Sequence, residues 1–122
     1  MVLLTFNIID IEAELKNRAQ ISNDDRLKIT IDNTKAILRI LDIHDTKATF
    51  FVEISIVEKL HNLIKAISGR GHEIAFYNKN STLHEIEEVK KYTQECFGKQ
   101  IRGIRQKDLK LPQENLKLLE FN

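Results

Sequence analysis

The chain alternates between strand-like and helix-like patterns four times, and this alternation limits its fold more than any other feature. Short runs of β-branched and aromatic residues are each followed by a segment with apolar residues at helical spacing. Such alternation is typical of βαβ units, whose strands are parallel and whose crossovers are right-handed. The expected fold is an α/β protein with a parallel sheet. The predicted strands cover 1–9, 48–54, 72–77 and 101–105, and the predicted helices cover 27–42, 55–69, 81–98 and 111–121.

Local signals predict how several of these helices begin. Residues 22–25, SNDD, are typical of a turn or a cap ahead of the first helix. Ser55 is followed three residues later by Glu58, a spacing that predicts a capping box for the second helix. Ser81 or Thr82 is expected to cap the third helix. The residues of the first helix that recur at helical spacing are Ile29, Asn33, Ala36, Ile37 and Ile40.

The bulk composition describes one ordinary globular domain and excludes several functions. A chain of 122 residues, 42% hydrophobic and 30% charged, is expected to form a single domain over 1–122. With 19 basic and 18 acidic residues, its net charge of +1 offers no surface for nucleic acid or an anionic membrane. The N-terminal run has neither the basic stretch of a signal peptide nor the length of a membrane span. The lone Cys96 rules out an internal disulfide, is expected to pack within its helix, and suits the cytoplasm.

In parallel α/β folds, ligands bind at the carboxyl ends of the strands. Four segments of this chain are expected to meet there, namely 7–10, 53–55, 77–81 and 105–108. They are therefore the first places to look for a functional site.

Several short motifs resemble the polysaccharide deacetylase domain (NodB homology, carbohydrate esterase family 4). The motifs are LLTFNIID at 3–10, KATFFV at 47–52, GHEIA at 71–75 and IRGIRQ at 101–106, and their order and spacing both fit. The resemblance implies an irregular (β/α) barrel, here incomplete, because closed barrels need about 200 residues or more. It also implies metal-dependent removal of acetyl groups from sugars, with two histidines and a carboxylate as metal ligands and a second carboxylate as base.

The positions that carry this chemistry are substituted in the present sequence. The family's base aspartate falls on Asn7, and its two metal histidines fall on Tyr77 and Ser81. The fourth-strand arginine, which orients the base in the family, is kept as Arg105. The family's later strands would lie beyond residue 122. The resemblance therefore implies a domain that has lost both its metal ligands and its base, with no cofactor expected.

Three functions stay open at this point. The first is a non-catalytic domain that binds a glycan or a partner protein at a rim of polar and aromatic residues. The second is a working deacetylase with atypical ligands, in which Asp10 and His84 would hold zinc. The third is a structural remnant that only assembles, since an open sheet would leave an edge strand and apolar surface for a homo-oligomer or a larger partner to cover. The rim of the first hypothesis consists of Asp10, Tyr77, Asn78, Asn80, Ser81 and Arg105.

Overall fold

The computed structural model describes residues 4–10, 23–101 and 103–106, which form a half-barrel built on a parallel sheet. Its strands are β1 (Leu4–Ile8), β2 (Ala48–Glu53), β3 (Glu73–Asn78) and β4 (Ile104–Gln106). They lie in the order β1-β2-β3-β4, and every neighbouring pair is parallel. The predicted α/β class and the incomplete barrel are confirmed.

Three helices connect the described strands. They are α1 (Asn23–Ile43), α2 (His61–Gly69) and α3 (Leu83–Phe97). The helix predicted at 111–121 lies outside the described residues.

The two faces of the sheet differ because side chains alternate along each strand. One face packs against the helices and forms the core around Phe50, Val52 and Phe76, whose exposure is 0%. The other face lines the inside of the half-barrel. Its main side chains are Thr5, Asn7, Thr49, Phe51, Glu53, Glu73, Ala75, Tyr77 and Arg105, as the strand register shows.

The prediction for α1 was correct in type and wrong in its start and its buried face. The helix begins at Asn23, so Asp24 and Asp25 lie in its first turn, where carboxylates favour the positive end of the helix dipole. Two residues of the predicted apolar stripe, Ile29 and Ile40, are exposed. The residues that α1 buries are instead Thr30, Thr34, Leu38 and Leu41.

Two threonines explain why this face was missed. A hydropathy pattern counts Thr30 and Thr34 as polar, yet both hydroxyls find main-chain acceptors. Thr30 Oγ1 donates to the carbonyl of Ile9 at 3.4 Å, and Thr34 Oγ1 donates to the carbonyl of Thr30 at 2.8 Å. A satisfied hydroxyl can be buried at little cost, so the threonines join the core side.

The predicted cap at Ser55 was wrong, whereas the cap of α3 is confirmed. After β2 the chain forms two short 3-10 turns before α2, and no side chain caps either turn or α2. Thr82 caps α3 through a complete capping box with Glu85, and Gly98 ends that helix at a φ of 65°.

The motifs KATFFV and GHEIA lie side by side and bond to each other directly. Lys47 Nζ donates to the carbonyl of Arg70 at 2.8 Å, and the Ala48 amide donates to His72 Nδ1 at 3.1 Å. Gly71, between Arg70 and His72, has a φ of 87°, a left-handed conformation that glycine adopts without strain. We call these five residues the motif seam.

Two further expectations concern surface properties. Cys96 is exposed, so its predicted role in helix packing was wrong. Among the residues that the structure describes, no helix is both long and apolar enough to cross a membrane.

Candidate functional site

The candidate site is the inner face of the half-barrel near the carboxyl ends of the strands. The strand register places Asn7 beside Phe51, Phe51 beside Ala75, and Tyr77 beside Arg105. Asn7 is exposed, while the aromatic rings and the arginine are half-buried. The face therefore combines apolar ring surface with amide, hydroxyl and guanidinium groups.

Arg105 spans this face from β4 to β1. Its Nη1 donates to Asn7 Oδ1 at 2.8 Å, and its Nη2 reaches Thr5 Oγ1 at 3.5 Å. Its guanidinium carbon lies 3.9 Å from the centre of the Phe51 ring, within the range of a cation–π contact. The β3 residue paired with Phe51 is the small Ala75, and the β3 residue paired with Arg105 is Tyr77. Arg105 thus holds together the two outer strands of the described sheet.

In the contact between Arg105 and Asn7, only the guanidinium is charged, because the asparagine side chain is a neutral amide. An arginine paired with a carboxylate would be held by a charge-assisted bond, commonly bidentate. An amide offers one oxygen acceptor to the guanidinium and cannot act as a base. Arg105 is therefore placed to support a side chain on β1, but the side chain there is the Asn7 amide, which cannot act as a base.

A second cluster follows β1 and β2. Asp10 Oδ1 accepts from Arg26 Nε of α1 at 3.1 Å, and the Asp10 amide donates to Glu53 Oε1 at 3.3 Å. Glu53 is buried at 4% exposure, and its other oxygen accepts from the Ser55 hydroxyl. A buried carboxylate needs such partners, and here they join the segments that follow β1 and β2. Asp10 and Glu53 therefore have a structural function in this cluster.

The predicted rim residues at the end of β3 and in the loop that follows it divide into two groups. Asn78 is buried and bonds within the chain, since its Nδ2 donates to Gln106 Oε1 at 3.0 Å and its Oδ1 accepts the Ser81 amide at 2.8 Å. Asn78 thereby fixes the loop that leads into α3. Tyr77 and Asn80 keep accessible surface, half-buried and exposed respectively.

The four histidines, all within the described part of the chain, lie in separate environments. His72 is 2% exposed, and its Nε2 has no hydrogen-bond partner among the described residues. Burial, reinforced by the Lys47 ammonium, lowers the pKa of His72 from its ordinary value. His61 bonds through Nδ1 to the Tyr92 hydroxyl at 2.8 Å, and His84 Nε2 pairs with Glu88 at 2.9 Å. His44 is exposed beyond the end of α1.

The residues available do not fit a zinc site of the deacetylase type. The positions where the resemblance implies histidine ligands hold Tyr77 and Ser81, whose neutral hydroxyls are poor zinc ligands. The two weak candidates from the sequence are engaged elsewhere, Asp10 with Arg26 and His84 with Glu88. Across residues 4–10, 23–101 and 103–106, no three histidine, cysteine, aspartate or glutamate side chains are placed to hold a metal ion together.

Sequence reasoning missed two residues that shape this site. Phe51 supplies the ring beneath Arg105, and Glu53 joins the segments after β1 and β2. The signal for both was the alternation along 48–54, which places every second residue on the inner face. Which of the two faces is the inner one depends on the helices, and the strand sequence alone does not reveal it.

Comparison with known proteins agrees with the family resemblance of the sequence motifs. The sequence matches the family model of polysaccharide deacetylase over residues 1–113. The chain therefore belongs to the polysaccharide deacetylase family. Comparison with curated proteins and with solved structures gave no match.

Proposed function

We propose that this domain does not deacetylate sugars and instead binds carbohydrate on the inner face of its half-barrel. The observation that carries the proposal is the contact between Arg105 and Asn7 at 2.8 Å, over the Phe51 ring. The resemblance places the catalytic base at Asn7, and there the arginine holds an amide.

The absence of a base and the unsuitable metal donors both argue against hydrolysis. Hydrolysis of an acetyl group needs a group that takes the proton of the attacking water, and Asn7 cannot do so at any working pH. It also needs a metal or other electrophile to polarise the carbonyl. The hydroxyl groups of Tyr77 and Ser81 are poor substitutes for the imidazole ligands that such a metal prefers.

The same face has the properties of a sugar-binding surface. Aromatic rings supply flat apolar area for the C–H face of a pyranose, and Tyr77 adds a hydroxyl at the edge of its ring. Asn7 is exposed, and its amide nitrogen can still donate because its oxygen takes the bond from Arg105. Asn80 is exposed after β3 and extends the set of amides toward the rim.

Calorimetric titration of chitotetraose and its N-acetylated form into the purified protein tests the binding proposal. Tyr77→Ala is expected to weaken binding by about tenfold or more, because the ring is lost, whereas Tyr77→Phe retains most of the affinity. Lys65→Ala, at an exposed position of α2, is the matched control and is expected to bind like the wild type. Equal affinity of the wild type and Tyr77→Ala would refute the assigned surface.

A parallel assay tests the non-catalytic proposal. Protein purified without chelator is analysed for metal and incubated with acetylated chitooligosaccharides, with zinc or cobalt added. We expect no acetate above the buffer control. Stoichiometric zinc together with metal-dependent acetate release would instead favour the hydrolase with Asp10 and His84 as atypical ligands.

We also propose that the protein self-associates. Strands β1 and β4 form the two edges of the described sheet, and edges offer unpaired main-chain groups. Three large apolar side chains of α1 are exposed, namely Ile29 at 37%, Ile40 at 56% and Ile43 at 78%. An exposed stripe of this kind on one helix favours contact with another apolar surface, here that of a second copy.

Light scattering coupled to size-exclusion chromatography measures the oligomeric state directly. We expect a mass above that of the 14.2 kDa chain at micromolar concentration, and a shift toward the monomer in Ile40→Glu. Leu83→Glu is the control, because Leu83 is exposed at 67% on α3, away from the stripe. A monomeric wild type would contradict self-association.

A further inference from the structure

We propose that the groove between α1 and α2, on the outer side of the sheet, binds a small amphipathic anion with an apolar body and a carboxylate or phosphate head. The groove has a volume of about 630 Å³, within the range of small-molecule sites. Its walls come from α1, from the turn before α2, and from α2 itself. It lies on the helical side of the sheet, so the inference is independent of carbohydrate binding on the inner face.

The side chains with a fixed charge that line this groove are all positive. Lys35, Arg39, Lys59 and Arg70 all line it, and no aspartate or glutamate does. Because the whole chain has 19 basic and 18 acidic residues, four cations without an acid are a local concentration and do not reflect the composition. Charges of one sign around a cleft attract a ligand of the opposite sign.

Three of these cations are available to a ligand. Arg70 pairs with Asp42 at 3.1 Å, so its charge is already partly balanced. Lys35, Arg39 and Lys59 have no ion-pair or side-chain hydrogen-bond partner among the described residues. An arginine together with lysines suits a carboxylate or phosphate, the arginine through two parallel hydrogen bonds and the lysines as point charges.

The floor of the groove is apolar, which selects an amphipathic ligand over a simple inorganic ion. Leu38 and Leu60 are each 1% exposed in the core beneath the groove, and Leu63 is 5% exposed. Ile31 and Ala66 extend this surface up the walls. An alkyl chain on Ile31 and Ala66, the apolar lining residues that keep accessible surface, would lose contact with water while its head group stays among the cations.

A small ligand fits the groove better than a nucleic acid does. A polynucleotide requires cations spread along an extended path, with several phosphates neutralised together. Here the cations surround one groove, and the chain as a whole is close to neutral. Acyl carboxylates and alkyl phosphates share the required chemistry, and the test below separates them.

Calorimetric titrations of the full chain with octyl phosphate, octanoate, 1-octanol and inorganic phosphate test the proposal. We expect one anionic amphiphile, either octyl phosphate or octanoate, to bind more tightly than 1-octanol and inorganic phosphate, and to bind more weakly as salt is raised. Which of the two binds better identifies the head group. Tighter or equal binding of 1-octanol or inorganic phosphate, or no binding by either amphiphile, would overturn the proposal.

Charge variants locate the site. The double variant Arg39→Gln with Lys59→Gln is expected to lower the affinity by at least about tenfold, since two charge-assisted contacts are lost. Ala66→Glu, an exposed position on the groove wall, places a carboxylate among the cations and is expected to abolish binding. Lys65→Gln is the matched control, because Lys65 lies on α2 but does not line the groove. Circular dichroism verifies that each variant is folded, and a folded double variant that binds like Lys65→Gln would refute the site.

Discussion

The motif seam and the inner rim of the half-barrel both lie in segments that resemble motifs of the polysaccharide deacetylase family. The seam residues match those motifs, whereas the rim residues differ from them. In the seam, Lys47, Ala48 and His72 lie in the motifs that carry the resemblance, and hydrogen bonds join the start of β2 to residues 70–72 at the end of α2. At the rim, Asn7 and Tyr77 stand where the resemblance implies a base and a metal ligand. The fold tolerates the second set of substitutions, whereas a change in the first would leave buried groups without partners.

The physical reason for this difference is what each residue bonds to. A seam residue has its partners inside the chain, so its loss costs folding free energy. A catalytic residue has its partners in the metal and the substrate, so its loss costs activity alone. The predictions below test whether the two regions are independent of each other.

Truncation in the core behind the seam should have the largest effect. Phe50 of the KATFFV motif is 0% exposed and lies with ring centroids 5.4 Å from both Phe6 and His72. Phe50→Ala is expected to lower the free energy of unfolding by about 3–5 kcal/mol, because it leaves a cavity. Urea denaturation measures the change, and Phe50→Leu provides a milder variant if Phe50→Ala does not fold. A loss below about 1 kcal/mol would show that the core is not closely packed at this point.

Backbone strain at the seam should have the next largest effect. Gly71→Ala is expected to cost about 1–2 kcal/mol, because alanine disfavours a positive φ. A methyl group there would lie 3.5 Å from Lys47 Cε, an ordinary contact, so the cost comes from the backbone. Gly69→Ala is the control. Gly69 is helical, a methyl group there would meet no atom within 4 Å, and a gain of up to about 1 kcal/mol is expected. Equal effects of the two variants would contradict the conformational explanation.

Lowering the pH should reduce the free energy of unfolding through His72 of the motif seam. The lowered pKa of His72 means that the folded protein binds fewer protons than the unfolded chain once the pH falls below about 6.5. The free energy of unfolding contributed by His72 is therefore complete above that pH and declines as the pH falls below it. Urea denaturation at a series of pH values from 7.5 to about 5 measures the slope. The slope should be smaller in His72→Gln, and an unchanged slope would remove His72 as its cause.

Restoring a carboxylate at the rim should have the smallest effect on stability. Asn7→Asp would give Arg105 an ionic partner, but Asn7 is exposed, so a gain of only about 0–1 kcal/mol is expected. We expect no acetate release from this variant, because Tyr77 and Ser81 still stand at the positions where the resemblance implies histidine ligands. Metal-dependent release of acetate by Asn7→Asp would show that the rim has kept more of its chemistry than its residues indicate.

Much of the fold could be predicted from the sequence. The wrong predictions for the buried face of α1 and for the cap at Ser55 have one cause. The types of the described strands and α-helices were correctly predicted because alternation and helical spacing are local properties of the chain, although the first part of the predicted second helix forms two 3-10 turns. The buried face of α1 and the cap at Ser55 were assigned wrongly because both depend on neighbours. Thr30 joins the core only because the Ile9 carbonyl lies within reach, and Ser55 bonds to Glu53 instead of capping a helix.

In the candidate site too, the sequence motifs predicted positions but not the contacts between them. From the motifs alone, the sequence predicted that Asn7 and Arg105 occupy the family's base and fourth-strand arginine positions, and the structure places these two side chains in contact. No motif indicated that the Arg105 side chain crosses the half-barrel to reach Asn7, 98 residues earlier in the chain.

By itself, the sequence determined the class of fold, the order of its elements and the family motifs, because each follows from residues close together in the chain. Only the tertiary structure decided which side chains meet. It placed Arg105 over Phe51, enclosed Glu53, and brought the cations of α1 and of the segments that flank α2 to one groove. These contacts depend on the curl of the sheet and on the packing of helices against it, which no local pattern specifies.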